Sequence, residues 1–156
     1  MRNVFFWVGA IGLGAGAVSG QDAEFERDLM KKESATLRDA VAMISWIAHE
    51  GLEPISAEKA VEEAFAKGTL PESWREELGE GVNYGQVAYL ICASQKISGG
   101  LSMRIFGYTK RYCYRECVYL ELMDPKGAHT RLRGVELIDV ANRLEAWIEE
   151  REEGGK

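Results

Sequence analysis

Apolar residues recur at intervals of three and four along most of this chain, a spacing that draws helices rather than strands. Leu37, Val41, Ile44 and Ala48, joined by Ala40 and Ile47, form the clearest stripe. Thr36 opens it with Asp39 three residues on, the arrangement of a capping box. Gly51 and Pro54 close it. Ser56 caps a second helix whose inner face is Ala57, Ala60, Val61, Ala64 and Phe65, ended by Gly68 and Pro71. A short turn over Ser73 to Leu78 and the loop Gly79-Glu80-Gly81 follow. Asn83 caps a third helix, with Gln86 placed to reach back to the cap amide. Val87, Leu90, Ile91, Ser94 and Ile97 line that helix, and Gly99-Gly100 break it. The stretch LSMRIFG from Leu101 reads as a loop or one-turn helix leading to Thr109, which caps a helix reaching Met123 before Asp124-Pro125. A last helix from Arg133 to Glu150 buries Leu137, Ile138, Ala141, Leu144 and Ile148. The predicted helices thus span 36–50, 56–67, 83–97, 109–122 and 133–150, and no run sustains the alternation of a half-buried strand. The fold class is all-α.

The first twenty residues stand outside this pattern. Arg2 precedes an apolar run from Val4 to Val18, and small residues follow, the order of a secretory signal peptide. The run falls short of the ~20 residues that span a bilayer and contains four glycines. Residues 1–20 are therefore expected to be an export signal, cleaved after Gly20 or after Ala17, with an uncleaved anchor as the alternative. The mature chain is expected in the periplasm or at the cell surface, with no transmembrane segment. Residues 21–33 read as a charged leader or a frayed first helix, 34–150 as the helical domain, and 151–156 as a flexible acidic and glycine tail.

A repeat runs through the helical part. VNYGQVAYLI from Val82 aligns with LRGVELIDVA from Leu132 at an offset of 50 residues. LRDAVAMISW from Leu37 is a looser copy. Between the copies, AVEEAFAKGTLP and YRECVYLELMDP are helices closed by a proline. A period near 50 with a helix-loop-helix unit fits a small helical repeat whose units bury one another's apolar faces. The domain is then two helix-loop-helix units plus a C-terminal helix. This spacing resembles the S-layer-homology repeat, a helix pair opened by an Ile/Val-Thr-Arg-Ala-Glu type motif. Val82, Asn83 and Gly85 keep the leading aliphatic, the polar cap and the small residue, whereas Tyr84 replaces the motif arginine and Gln86 its glutamate. The copy at Leu132 keeps Glu136 but has Gly134 at the arginine position. The resemblance implies short helices and an envelope setting. The missing arginine, which the family uses to hold acidic wall polymer, leaves that ligand in doubt at those positions.

Charge excludes some partners. Removing Arg2 with the signal takes 19 basic side chains to 18 against 25 acidic, so the net charge goes from −6 to −7. Such a chain lacks the basic face that nucleic acid or an anionic membrane requires of a general partner, and EEREE at Glu149–Glu153 reads as a solvated helix end. Three cysteines, Cys92, Cys113 and Cys117, cannot all pair. They read as small buried hydrophobes, with a disulfide from Cys92 to Cys113 or Cys117 left open. His49 and His129 sit at no ligand spacing, so no metal site is expected. Glu62-Glu63 and Glu76-Glu77 point different ways on their helices and make no acid/base pair. GLGAG at Gly12–Gly16 belongs to the export signal, and no cofactor motif is found elsewhere.

One segment departs from the acidic average. Arg104, Lys110, Arg111 and Arg115 interleave with Phe106, Tyr108, Tyr112, Tyr114 and Tyr119. Aromatic faces and forked guanidinium donors are the equipment for sugars or an acidic protein surface. Arg104, Phe106, Tyr108, Lys110, Arg111, Tyr112 and Arg115 are accordingly the candidate partner-binding residues. The expected function is a non-catalytic exported module that binds an envelope partner, a cell-wall polymer or an envelope protein. The alternatives are a small hydrolase using Cys113 or Cys117 with a histidine, and a structural subunit of an envelope assembly.

Overall fold

The computed structural model describes residues 20–48 and 56–154. The export signal, His49 and the expected helix stop at Gly51 and Pro54 lie outside the described residues. Among the described residues seven α-helices form: α1 (Gly20–Met30), α2 (Leu37–Ala48), α3 (Ala57–Ala66), α4 (Tyr84–Ser94), α5 (Leu101–Phe106), α6 (Lys110–Tyr119) and α7 (Gly134–Gly154). A 3-10 helix covers Glu72–Glu77. No strand occurs among the described residues, so the all-α class holds. No helix among them is long and apolar enough to cross a membrane. Of the two readings of residues 21–33, the helix is the one that forms: Leu29 on α1 is buried, and Phe25 meets Trp46 edge-on at 4.6 Å. At the other end α7 runs to Gly154, past the expected 150.

The helices radiate from one small knot of backbone. Three lead-in segments meet at Ala35, Val82 and Leu132, all fully buried. The Ala35 N–H donates to the Leu132 carbonyl (2.9 Å), the Leu132 N–H to the Val82 carbonyl (3.0 Å), and the Val82 N–H to the Ala35 carbonyl (2.8 Å). The three bonds close a ring in which each residue donates once and accepts once. The antiparallel bridges Thr36–Gly81 and Asn83–Arg131 flank it. α2, α4 and α7 all start two residues beyond the ring, and their free N–H groups find partners across it. Leu37 donates to the Glu80 carbonyl (3.0 Å), Tyr84 to Thr130 (3.0 Å) and Gly134 to Lys32 (3.0 Å).

Each lead-in is also closed on itself. Thr36 donates its N–H to the Asp39 carboxylate (2.9 Å) and accepts the Asp39 N–H on Oγ1 (3.2 Å). Asn83 and Gln86 make the same reciprocal pair at 3.1 and 2.9 Å. At α7 the Arg133 N–H donates to the Glu136 carboxylate (2.8 Å), but arginine offers no acceptor, so the Glu136 N–H falls back on the Arg133 carbonyl (3.1 Å). Each closing side chain is itself held from outside, Asp39 by Lys32 (2.8 Å), Gln86 by Glu77 (2.8 Å) and Glu136 by Lys126 (2.7 Å).

Around this knot α2 packs on α3, α4 and α7, while α4 packs on α6, and α1 on α7. α2 buries Leu37 and every residue from Asp39 to Ile44. α4 is apolar nearly all round because it has neighbours on both sides. Gly134 shows why α1 belongs to the body. A Cβ there would overlap the Leu29 carbonyl, so only glycine lets the end of α1 cross the start of α7. Gly134→Ala is therefore expected to cost about 3 kcal/mol, near the top of the overpacking range. Gly79→Ala, where a Cβ meets nothing within 4 Å, is expected to be near neutral. Urea denaturation of both variants checks the contrast.

Acid should act on the third cap. Burial raises the Glu136 carboxyl, but the Arg133 N–H and the Lys126 ammonium outweigh it and hold it at about 2, below its ordinary 4.5. A depressed carboxyl contributes stability that is complete above the ordinary value and disappears as pH falls through the folded one. Glu136→Ala is expected to lose about 1–2 kcal/mol at neutral pH, and the deficit should shrink from pH 4.5 toward 2. Thermal denaturation across that window measures it; a deficit that grows in acid contradicts the assignment.

Candidate functional site

The surface of interest is made by α5 and α6. Thr109 fixes the start of α6 by accepting the Tyr112 N–H on Oγ1 (3.2 Å). Cys113 and Cys117, one turn apart, point inward against α4. There Cys117 Sγ lies 3.9 Å from the Ala88 carbonyl, and Cys92 Sγ lies 4.0 Å from the Cys113 carbonyl. All three thiols are free and fully buried, as small hydrophobes are. Arg111 and Arg115 each stand two residues from Cys113, about 200° around the helix, and are exposed. The thiols thus hold one side of α6 down and turn its arginines out.

Two of those thiols, Cys92 and Cys113, are poor nucleophiles. At Cys92 the contact with the Cys113 thiol lowers the pKa, but the Cys117 contact and burial outweigh it; at Cys113 the Cys92 contact and burial both raise it. Both stay protonated well above the ordinary range. A catalytic cysteine needs an accessible thiolate, so the hydrolase alternative finds no support in this geometry. His129 is exposed in the loop after α6.

α5 is a six-residue helix that buries only Met103. Gly99 (φ +56°) and Gly107 (φ +72°) take the left-handed turns at its two ends, where a side chain would be strained. A cleft runs along each side of it. One, of about 240 Å³, lies against α6 and is lined by Ser102, Met103, Tyr112, Arg115, Glu116 and Tyr119 beside Gly100. The Glu116 carboxylate in it accepts the Gly100 N–H (3.3 Å). The other, of about 250 Å³, is lined by Ser98, Met103, Arg104, Gly107 and Tyr108. Leu101 (73% exposed), Ile105 (64%), Phe106 (65%) and Tyr119 (80%) stand out in solvent around them.

The seven candidate residues are close in space but do not share one face. Tyr112 and Arg115 line the α6 cleft, and Phe106 stacks on Tyr112 with ring centroids 5.8 Å apart. Arg104 and Tyr108 line the opposite cleft, where Tyr108 meets Tyr89 edge-on at 6.3 Å. Arg111 is exposed on α6. Lys110 faces elsewhere: its ammonium sits 4.8 Å over the Trp74 ring, which in turn packs on Tyr89 at 5.2 Å. Its role is to join α6 to the 3-10 helix. Ser102, Glu116 and Tyr119 were missing from the candidate set. Tyr112, Arg115, Glu116 and Tyr119 follow the 3, 4, 7 spacing of one helix face, so the signal was present in α6. Leu101 and Ile105 lay in a stretch too short to show a period.

No protein-family model matches the chain, and no curated protein or solved structure is similar to it.

The thiols supply a direct check. In the native protein Cys92, Cys113 and Cys117 should resist a thiol reagent such as dithionitrobenzoate, and all three should react in denaturant. Rapid labelling of the native chain would place a thiol at the surface.

Proposed function

We propose that this chain is a non-catalytic helical module, exported to the cell envelope, that binds a partner there through the exposed side of α6. The observation that carries the reading is the α6 cleft. Tyr112, Tyr119, Arg115 and Glu116 converge on it, with Arg111 exposed on the same helix, and among the described residues neither arginine makes an ion pair of the kind found elsewhere on this acidic chain. Tyrosine and arginine together are the composition of interface hot spots, which favours an envelope protein with an acidic surface. The size of the cleft and its mixture of hydroxyl, carboxylate and guanidinium groups favour a second occupant, a sugar unit of a wall polymer.

We also read the three lead-in segments as the starts of related units, in keeping with the S-layer-homology resemblance. The ring at Ala35, Val82 and Leu132 and the three self-closed caps support that reading. In this reading the first unit starts in register at Ala35, two residues before the alignment drawn from Leu37. In this register Gly134 falls at the family's arginine position, where α1 crosses, which leaves the acidic-polymer contact of the family without its cation.

Arg111→Glu combined with Arg115→Glu is expected to weaken partner retention at least tenfold, since like charges brought together at an interface cost several kcal/mol. Both side chains are exposed, so the thermal midpoint should move by no more than ~4 °C. The readouts are co-sedimentation with purified wall sacculi and photo-crosslinking from a benzoyl-phenylalanine at Tyr119 in envelopes. Undiminished retention by the folded double variant sinks the assignment of this face.

A further inference from the structure

Leu101 and Ile105 on α5 take no part in the cleft of α6 or in the core, and Phe106, though it stacks on Tyr112 of that cleft, remains largely exposed. Leu101, Ile105 and Phe106 belong to a helix that is fastened below by Met103 and bounded on each side by a cleft. That arrangement makes α5 a ridge rather than a wall of a groove. Along the chain from 96 to 115 there are five cations, Lys96, Arg104, Lys110, Arg111 and Arg115, and no acid, in a protein whose net charge is −6, and of the five only Lys110 is turned away over Trp74. Arg104 borders one flank of the ridge and Arg115 the other. The carboxylate beside Arg115, Glu116, is half-buried and engaged by the Gly100 N–H.

From this geometry we propose that α5 docks the chain on an anionic lipid surface, with Leu101, Ile105 and Phe106 entering the headgroup and acyl boundary and Arg104 and Arg115 meeting the headgroups. This goes beyond the partner-binding role of α6 and does not rest on it. Lipid suits the ridge better than a protein does. Three side chains on a single short helix fall well below the ~800 Å² per partner of a stable protein interface, but a lipid surface needs only a few apolar side chains with cations beside them. The polarity is also right. A surrounding of basic residues attracts anionic headgroups, while the acidic remainder of the chain is repelled and keeps the ridge oriented toward the bilayer.

The test must not confuse α5 with the apolar segment 4–18, so it reads the ridge locally in the full chain. Ile105→Cys is labelled with an environment-sensitive nitrobenzoxadiazole, which the buried native thiols escape. With vesicles containing phosphatidylglycerol the emission should rise, shift to the blue and become shielded from an aqueous quencher. Neutral phosphatidylcholine vesicles should give much less, and raised salt should reverse the effect. In the labelled chain, Arg104→Gln is expected to weaken vesicle binding at the ridge roughly fivefold, and Leu101→Ser with Phe106→Ser at least tenfold. Both variants change exposed positions and should fold.

The proposal is overturned if the label stays in water while the chain sediments with anionic vesicles, because the N-terminal segment then carries the binding. It is equally overturned if neutral vesicles shield the label as well as anionic ones do. Shielding by an envelope protein and not by vesicles would make the ridge a protein contact instead. Partner retention through α6 is measured without vesicles, so each assignment can fail alone.

Discussion

The ring of three backbone hydrogen bonds at Ala35, Val82 and Leu132 is the constraint on which the remaining structure depends. Three polar backbone segments converge at the centre of an otherwise apolar body, where every buried N–H and C=O needs a partner. A sheet would satisfy them with longer strands. Here each segment bonds only to its two neighbours around the ring and turns at once into a helix. The turn is enforced one residue later by the caps at Thr36, Asn83 and Arg133. Three helices that leave a common point must diverge. The remaining helices fill the spaces, α3 against α2, α6 against α4 and α1 against α7.

Most of this was legible in the sequence because caps and stripes are local. Thr36 with Asp39, Asn83 with Gln86, Ser56 and Thr109 each open a helix within one residue of the expected place. The ring was not legible, since it joins residues about fifty apart through backbone atoms that have no signature in side chains. Apolar similarity aligned Leu37 with Val82, but Ala35 occupies the equivalent place in the ring, and a small alanine there does not resemble valine or leucine. α1 was hidden for a different reason: its composition is charged, and its hold on the body comes from Leu29 beneath the glycine at 134 and the half-buried Phe25 against Trp46.

The candidate site was legible in composition and not in direction. A run of alternating cations and aromatics marked the region from 104 to 119, but the direction each side chain takes depends on which residues of α6 face α4. Cys113 and Cys117 decide that. Once they are buried, Arg111 and Arg115 must point away, while Tyr112 and Tyr119 border the cleft. Lys110, just after the cap, comes over Trp74 and leaves the group. The cysteines that invited a catalytic reading are therefore the residues that orient the exposed face of α6.

Their small size matters as much as their burial. Cys92, Cys113 and Cys117 let α6 lie close against α4, so that side is complete without help from α5. α5 then contributes Met103 and leaves Leu101, Ile105 and Phe106 in water. Apolar side chains that a fold does not need are usually replaced by polar ones, because a contiguous exposed patch promotes association. On a ridge held between two left-handed glycine turns, Leu101 and Ile105 add nothing to the core, and Phe106 adds only its stack on Tyr112. The stability of the chain resides in the ring and the helices that leave it, and α5, which that requirement barely touches, is where apolar side chains stand in water.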